Sequence, residues 1–344
     1  MQVYFSDVQL RHAPHEFLVR GRWQPCPEKP ERATALKSAL ESAGHAIATP
    51  KRGDDTHIAA VHDGRYLAFL ESGHERWRAL PGASELIVPN IHPNGRPRGH
   101  LGGYPQSVVG QAGYHMADTA CPLGAESWKA IRASADCAIA AALMVRDGAP
   151  AAYALCRPPG HHAFADMAGG FCYLNNSGIA AQILRGKHDR VAIVDVDLHH
   201  GNGTQGMFYN RGDVLTVSVH ADPANFYPFF WGYADEAGEG DGLGANLNLP
   251  LPLGAGDDDF LAALEIGLRK VDDFGAEAIV VALGLDAFAG DPFAGLKVTE
   301  AGFRAIASRL GRLQKPTVLV QEGGYLCPEL GGNLVVFLEG FDAL

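Results

Sequence analysis

The stretch that most constrains this chain is a short apolar run, Val191-Ala-Ile-Val194, that ends abruptly in charge: Asp195-Val-Asp197-Leu-His199-His200-Gly-Asn202-Gly. A β-branched run without polar alternation describes a strand covered on both faces, which belongs in a parallel sheet between layers of helices. The carboxyl ends of strands in such sheets are where ligands bind. Asp197 and His199 lie two apart, so an extended backbone would send both side chains the same way. A carboxylate oxygen and an imidazole nitrogen aimed at one point supply two ligands of a metal site. A surface turn with a structural Asp–His pair accounts for neither the doubled aspartate nor the doubled histidine.

The pattern repeats along the chain. Residues Val3–Phe5, Ala151–Cys156, Val191–Val196, Val214–Val219, Ala278–Leu285 and Pro316–Gln321 read as strands. Asn175–Arg185, Asp257–Phe274 and Thr299–Arg312 read as helices between them, Ser127–Arg146 as an alanine-rich amphipathic helix, and Pro27–Arg32 opens a helix over Ala33–Ala43. This alternation predicts an α/β fold of three layers, a central, mostly parallel sheet covered by helices on both faces. Residues 81–124 break the rhythm: they are rich in Gly, Pro and Asn, carry His92, Arg96, Arg98 and His100, and read as a long irregular insertion. With no internal repeat, low-complexity tract or linker, residues 1–344 read as one catalytic domain.

A net charge of −11 argues against a nucleic-acid backbone as partner and suits cationic ligands. The six cysteines show no CxxC pairing, which points to a reducing compartment. Met-Gln-Val-Tyr-Phe-Ser-Asp at the start lacks the basic and long apolar regions of a secretory signal, and no apolar run approaches a membrane span. A soluble cytoplasmic enzyme is the expectation.

Four strands run into polar sequence at the same predicted edge: Arg157-Pro-Pro-Gly-His161-His162, the Asp195–Asn202 cluster, Asp286, and Glu322-Gly-Gly-Tyr325. Asp286 is the natural third ligand beside Asp197 and His199, leaving a position open to water and substrate. Its competing role is a helix N-cap. Of the adjacent imidazoles His161 and His162, one would move the proton and the other tune it, with Asp195 and Asn202 as their partners. The Tyr325 phenol, on a glycine-hinged loop, is placed to stabilise an oxyanion. Asp195, the carbonyls around Asp197 and His199, and the Ser218 hydroxyl could enclose a monovalent cation.

Taken together, Arg157-Pro-Pro-Gly-His-His, Gly169-Gly-Phe-Cys-Tyr-Leu-Asn-Asn176, Asp195-Val-Asp-Leu-His-His-Gly-Asn-Gly203, Leu285-Asp-Ala-Phe-Ala-Gly-Asp-Pro292 and Glu322-Gly-Gly-Tyr325 resemble the zinc-dependent histone deacetylase superfamily. The 81–124 segment, His220-Ala-Asp-Pro and Phe226–Tyr233 are most similar to its bacterial acetylpolyamine amidohydrolase branch. The resemblance implies an arginase-like fold that hydrolyses an acetylated amine to acetate and free amine. It implies zinc on Asp197, His199 and Asp286, and His162 as general base and acid. His161 would be its electrostatic partner paired with Asp195, and Tyr325 would polarise the acetyl carbonyl. It further implies a tunnel lined by Gly170, Phe171 and Tyr227, and potassium near Asp195, Asp197, His199, Ser218 and Val219. A homodimer would let the insertion of one subunit constrict the tunnel of the other.

Similar chains place acids in the insertion; here Val109 and Asp118 take those positions, leaving Glu16 and Asp118 as candidate contacts for a distal ammonium. The substrate is then an acetylpolyamine, a short acetyl-diamine, an acetyl-lysine side chain or another small amide. Rival readings are a binuclear manganese hydrolase of the arginase type, which needs more carboxylates than these, and an acyl-binding module, which predicts a lost ligand or base. Iron or cobalt would fit the same ligands as zinc.

Overall fold

In the computed structural model, which describes residues 1–93 and 103–343, the central sheet is built from eight parallel strands. Along the first half run β1 (Gln2–Tyr4), β2 (Glu16–Val19), β3 (Arg22–Pro25), α1 (Pro30–Ser42), β4 (Ile47–Ala48), α2 (Asp55–Ala59), α3 (Gly64–Arg78), α4 (Val108–His115) and α5 (Ser127–Arg146). The second half carries β5 (Ala151–Ala154), α6 (Asn176–Arg185), β6 (Val191–Asp195), α7 (Asn202–Phe208), β7 (Val214–Ala221) and β8 (Asn246–Leu251). It closes with α8 (Asp257–Phe274), β9 (Ala278–Leu283), α9 (Glu300–Gly311), β10 (Thr317–Gln321) and α10 (Leu330–Asp342). The sheet order is β4-β1-β5-β10-β9-β6-β7-β8, and β2 pairs with β3 in a separate hairpin.

Alternation along each strand divides the core into two layers. On β6, Ala192 and Val194 face α1, α8, α9 and α10, while Val191 and Ile193 face α3, α5 and α6. On α8 the apolar stripe Phe260, Leu264, Leu268 and Val271 is buried, and each such side chain stabilises the fold by ~1.5–3 kcal/mol. Three aspartates in its first turn complement the helix dipole, and Gly275 at φ 72° ends it in a left-handed cap. The alanines of α5 let α6 approach closely, so the sheet is covered on both faces as the alternation requires.

Several local expectations need correcting. The 81–124 segment is not irregular throughout: Ser107 caps α4 through its Oγ, and an Ile87–Leu123 bridge closes the base of the segment. Gly110 and Gly113 hide this helix from propensity reading, yet Gly113 lets α4 press against the Ile91 carbonyl, where a Cβ would not fit. Val109 therefore sits on a helix, and His92 is exposed; Arg96, Arg98 and His100 fall outside the described residues. The sequence reading also missed β8, α3 and the β2–β3 hairpin, whose Arg20-Gly21 turn has positive φ at both residues. Among the described residues no helix is long and apolar enough to cross a membrane, and all six cysteines are free thiols.

Candidate active site

Strands β5, β10, β9 and β6 are consecutive neighbours and parallel, so their carboxyl ends stand side by side. This is why four polar motifs far apart in sequence meet. Asp197 and His199 converge for a reason other than strand alternation: β6 ends at Asp195, and residues 197–199 form a bend. The bend is held by Asp197 itself, whose Oδ1 accepts the His199 N–H at 2.8 Å while its Oδ2 accepts the Gly323 N–H at 2.7 Å. Asp286 is no helix cap; its Oδ1 accepts the Leu198 N–H at 3.0 Å.

His199 Nδ1 stands 3.3 Å from Asp197 Oδ1 and 3.1 Å from Asp286 Oδ2. One ligand atom from each of Asp197, His199 and Asp286 lies within 4.8 Å of the others, and all three residues are buried. Burial opposes charge on His199, yet hydrogen bonds and charge from the two carboxylates raise its pKa to about 9. The point between these groups demands positive charge, so the donor set fits a divalent metal. Asp195, which a two-metal site would need as a ligand, is engaged elsewhere. Its Oδ2 pairs with His161 Nδ1 at 2.9 Å and its Oδ1 accepts the Asp197 N–H at 3.0 Å.

The two imidazoles of the β5 loop are electrostatically opposite. For His161, burial works against the proton, but Asp197 and Asp195 outweigh it and raise the pKa to about 10. For His162, burial together with His161 and His199 drives the pKa well below its usual range. Asn202 Oδ1 lies 2.7 Å from His162 Nδ1, and because that oxygen only accepts, Nδ1 carries the proton and Nε2 keeps its lone pair. His200, doubled beside His199, is buried and turned away, bonded to Gln205 Oε1 at 2.9 Å.

An aromatic wall surrounds this point. Phe226 stacks on His199 with ring centroids 5.2 Å apart, and Tyr227 meets His162 edge-on at 4.9 Å. Phe293 packs against Tyr325 at 4.6 Å, and Phe171 lies between Tyr325 and Phe17 of the hairpin. Burial holds the Tyr325 phenol well above its usual pKa, so it remains a donor. Gly170, at φ 52°, passes so close to the His162 ring and the Tyr227 hydroxyl that a Cβ would collide with both. Phe171 follows at φ 68°, a conformation unusual for a bulky residue.

Of the two acids expected to meet an ammonium, Asp118 is already engaged. Its Oδ2 accepts the Tyr227 hydroxyl at 2.6 Å and the Gly170 N–H at 3.1 Å, and its Oδ1 accepts the Ala120 N–H. Glu16 is exposed on β2, and strand alternation puts it opposite the face from which Phe17 reaches Phe171. Ser218 pairs in register with Asp195 and bonds His220 Nδ1 at 2.8 Å, while Val219 beside it is fully buried.

A histone deacetylase domain model matches residues 26–340. The chain belongs to the histone deacetylase family. It is 47% identical, over 100% of its own length and 99% of the relative's, to an acetylpolyamine amidohydrolase of Burkholderia pseudomallei. It is 42% identical to acetylpolyamine amidohydrolase 1 of Pseudomonas aeruginosa over 99% of both chains. A crystal structure of acetylpolyamine aminohydrolase from Burkholderia pseudomallei superposes with a TM-score of 0.95 at 47% identity, covering 100% of this chain and 99% of that one. The HDA15 HD domain superposes at 0.79 with 27% identity, covering 99% and 90%.

This deacetylase also contains supporting residues that the motifs did not announce. Glu28 is buried between two arginines, 3.0 Å from Arg32 Nη1 and 2.9 Å from Arg157 Nε. Arg32 in turn donates to the carbonyls of Gly324 and Glu322, both at 2.5 Å, and its guanidinium lies 5.0 Å from the Tyr325 ring centroid. Asp291 accepts the Tyr325 N–H at 2.8 Å and the Phe293 N–H at 2.9 Å. Asp291 stands in one of the motifs and Glu28 in a helix-opening stretch, but Arg157 and Tyr325, their partners 129 and 34 positions away, leave no mark in local sequence.

Proposed function

We propose that this deacetylase removes the acetyl group from an acetylated polyamine or similar small aliphatic amine. The observation that carries the reading is a neutral His162 beside the Asp197–His199–Asp286 cluster, within an aromatic wall. The names of the full-length relatives point the same way.

A zinc ion held by Asp197, His199 and Asp286 would supply Lewis acidity to the amide carbonyl and to the attacking water. His162 takes the water's proton on Nε2, with Asn202 fixing its tautomer, and later returns that proton to the departing amine. The Tyr325 O–H donates to the negative charge that develops on the carbonyl oxygen. His161, hydrogen-bonded to Asp195 and raised in pKa by Asp197 and Asp195, would offset negative charge beneath the reacting centre. Potassium held by Asp195, Asp197, His199, Ser218 and Val219 would serve structure. In-register pairing of Asp195 with Ser218 is what favours it.

We place the chain in the cytoplasm on its free thiols, as a catalytic unit over 1–344 that forms a homodimer through the 81–124 segment, where Ile91 is exposed. Sedimentation tests the dimer, and Ile91→Asp should shift it toward monomer. Acetylputrescine, acetylcadaverine, acetylspermidine and an acetyl-lysine peptide, compared by kcat/KM, test the substrate. We expect the free amines to be preferred. Preference for the peptide over all of them would instead make the chain a protein deacetylase.

A further inference from the structure

Glu322 directly follows β10 and its side chain is completely buried, yet neither the Asp197–His199–Asp286 cluster nor the proton path uses it. Its Oε2 accepts two consecutive backbone donors of the histidine loop, Gly160 N–H at 2.6 Å and His161 N–H at 3.0 Å. Its Oε1 accepts the Ser177 hydroxyl of α6 at 2.7 Å. Its own N–H donates to the Leu283 carbonyl of β9 at 2.8 Å. Gly160 packs on the Leu174–Asn176 backbone so tightly that a Cβ would not fit, which keeps the histidine loop against α6. One carboxylate thus sits three residues before Tyr325 and holds the backbone directly before His162. The two N–H donors require one acceptor oxygen with two lone pairs at that reach, which a carboxylate or a carboxamide provides and a shorter side chain does not, while the Ser177 hydroxyl can either donate or accept.

We propose that Glu322 is a positioning residue, the joint that fixes the histidine loop and the tyrosine loop at one spacing; this rests on the amidohydrolase reading above. The role depends on reach, not on charge. In Glu322→Gln the carboxamide oxygen accepts both N–H groups and its NH2 donates to Ser177 Oγ, so the joint survives without the charge. Glu322→Asp keeps the charge and loses the reach. A displacement of about 1 Å at a reacting group costs on the order of 100-fold in rate.

The test measures kcat, KM, bound zinc and thermal unfolding for wild type, Glu322→Gln, Glu322→Asp and Glu322→Ala on the best acetylated amine. It also follows amide hydrogen exchange at residues 160–161 in the metal-free protein. Expected are near wild-type kcat for Gln, and a kcat about 100-fold lower for Asp and Ala, with KM and zinc content unchanged and faster exchange at 160–161. Wild-type kcat in Asp or Ala, or an active Asp beside an inactive Gln, would overturn the proposal. So would unchanged exchange in Asp. If Ala does not fold, the Asp–Gln order decides alone. A wild type that turns over none of the acetylated amines refutes the function itself and is seen before any variant is made.

Discussion

A histidine that is to take a proton must arrive without one, and in this chain the neighbours of His162 see to that. Burial, His161 and His199 all disfavour its charge, and Asn202 chooses which nitrogen stays bare. Replacement of His162 by alanine should leave zinc bound while turnover falls by roughly 10²–10⁴. Asp286→Ala should abolish both, as metal analysis of the purified variant would show; full zinc content there would remove Asp286 from the ligand set. Tyr325→Phe should lower kcat by about 10²–10³ with little change in KM, the signature of a donor used at the oxyanion. That these residues come together was legible because reactive side chains at strand ends are rare and their motifs are local. The engagement of Asp118 by Tyr227 was not, since it joins residues more than a hundred positions apart through one hydroxyl.

At the scale of elements, the strands that could be read were those buried on both faces, whose β-branched runs leave few alternatives. What escaped was marginal in pattern: β8 alternates Asn with Leu and contains Pro250 at the sheet edge, and the β2–β3 hairpin has only one half-buried strand. The convergence of Asp197 and His199 follows in the sequence from an extended backbone, because spacing by two suits that backbone as well as the bend that is present. Elements also cohere through charge. Glu28 joins the start of α1 to Arg157 after β5, and through Arg32 to the tyrosine loop. Glu28→Gln would leave two buried guanidinium groups facing each other, and should lower unfolding free energy by about 3–5 kcal/mol in a denaturant titration. A loss below ~1 kcal/mol would mean that water reaches the cluster.

Across the whole molecule, stability should depend on pH through imidazoles outside the proposed metal and proton path. His12 and His62 are buried and hydrogen-bonded as neutral rings, and burial lowers the pKa of each from 6.5 to about 4. The unfolded chain therefore binds these protons at a higher pH than the native one. Their contribution is fully present above pH 6.5 and is lost as pH falls toward 4, by roughly 3 kcal/mol for each ring. Because His161 and His199 act with the opposite sign, unfolding free energies at pH 7.5 and 5 are compared between wild type and His62→Gln, and an equal pH dependence in the two would exclude this linkage.

The sheet order carries one more consequence, for how the molecule is made. Strands β4, β1 and β5 form one side and β9, β6, β7 and β8 the other, with β10 between them. The three proposed metal ligands all follow strands of the four-stranded side, and the paired histidines follow β5 on the three-stranded side. A nascent chain emerging from the ribosome thus has both halves of its chemistry before Thr317–Gln321 appears, but each half ends in an open edge. The last strand to be synthesised closes the sheet like a zip. It brings Glu322 and Tyr325 with it, so completion of the sheet and assembly of the proposed site arrive in the same step.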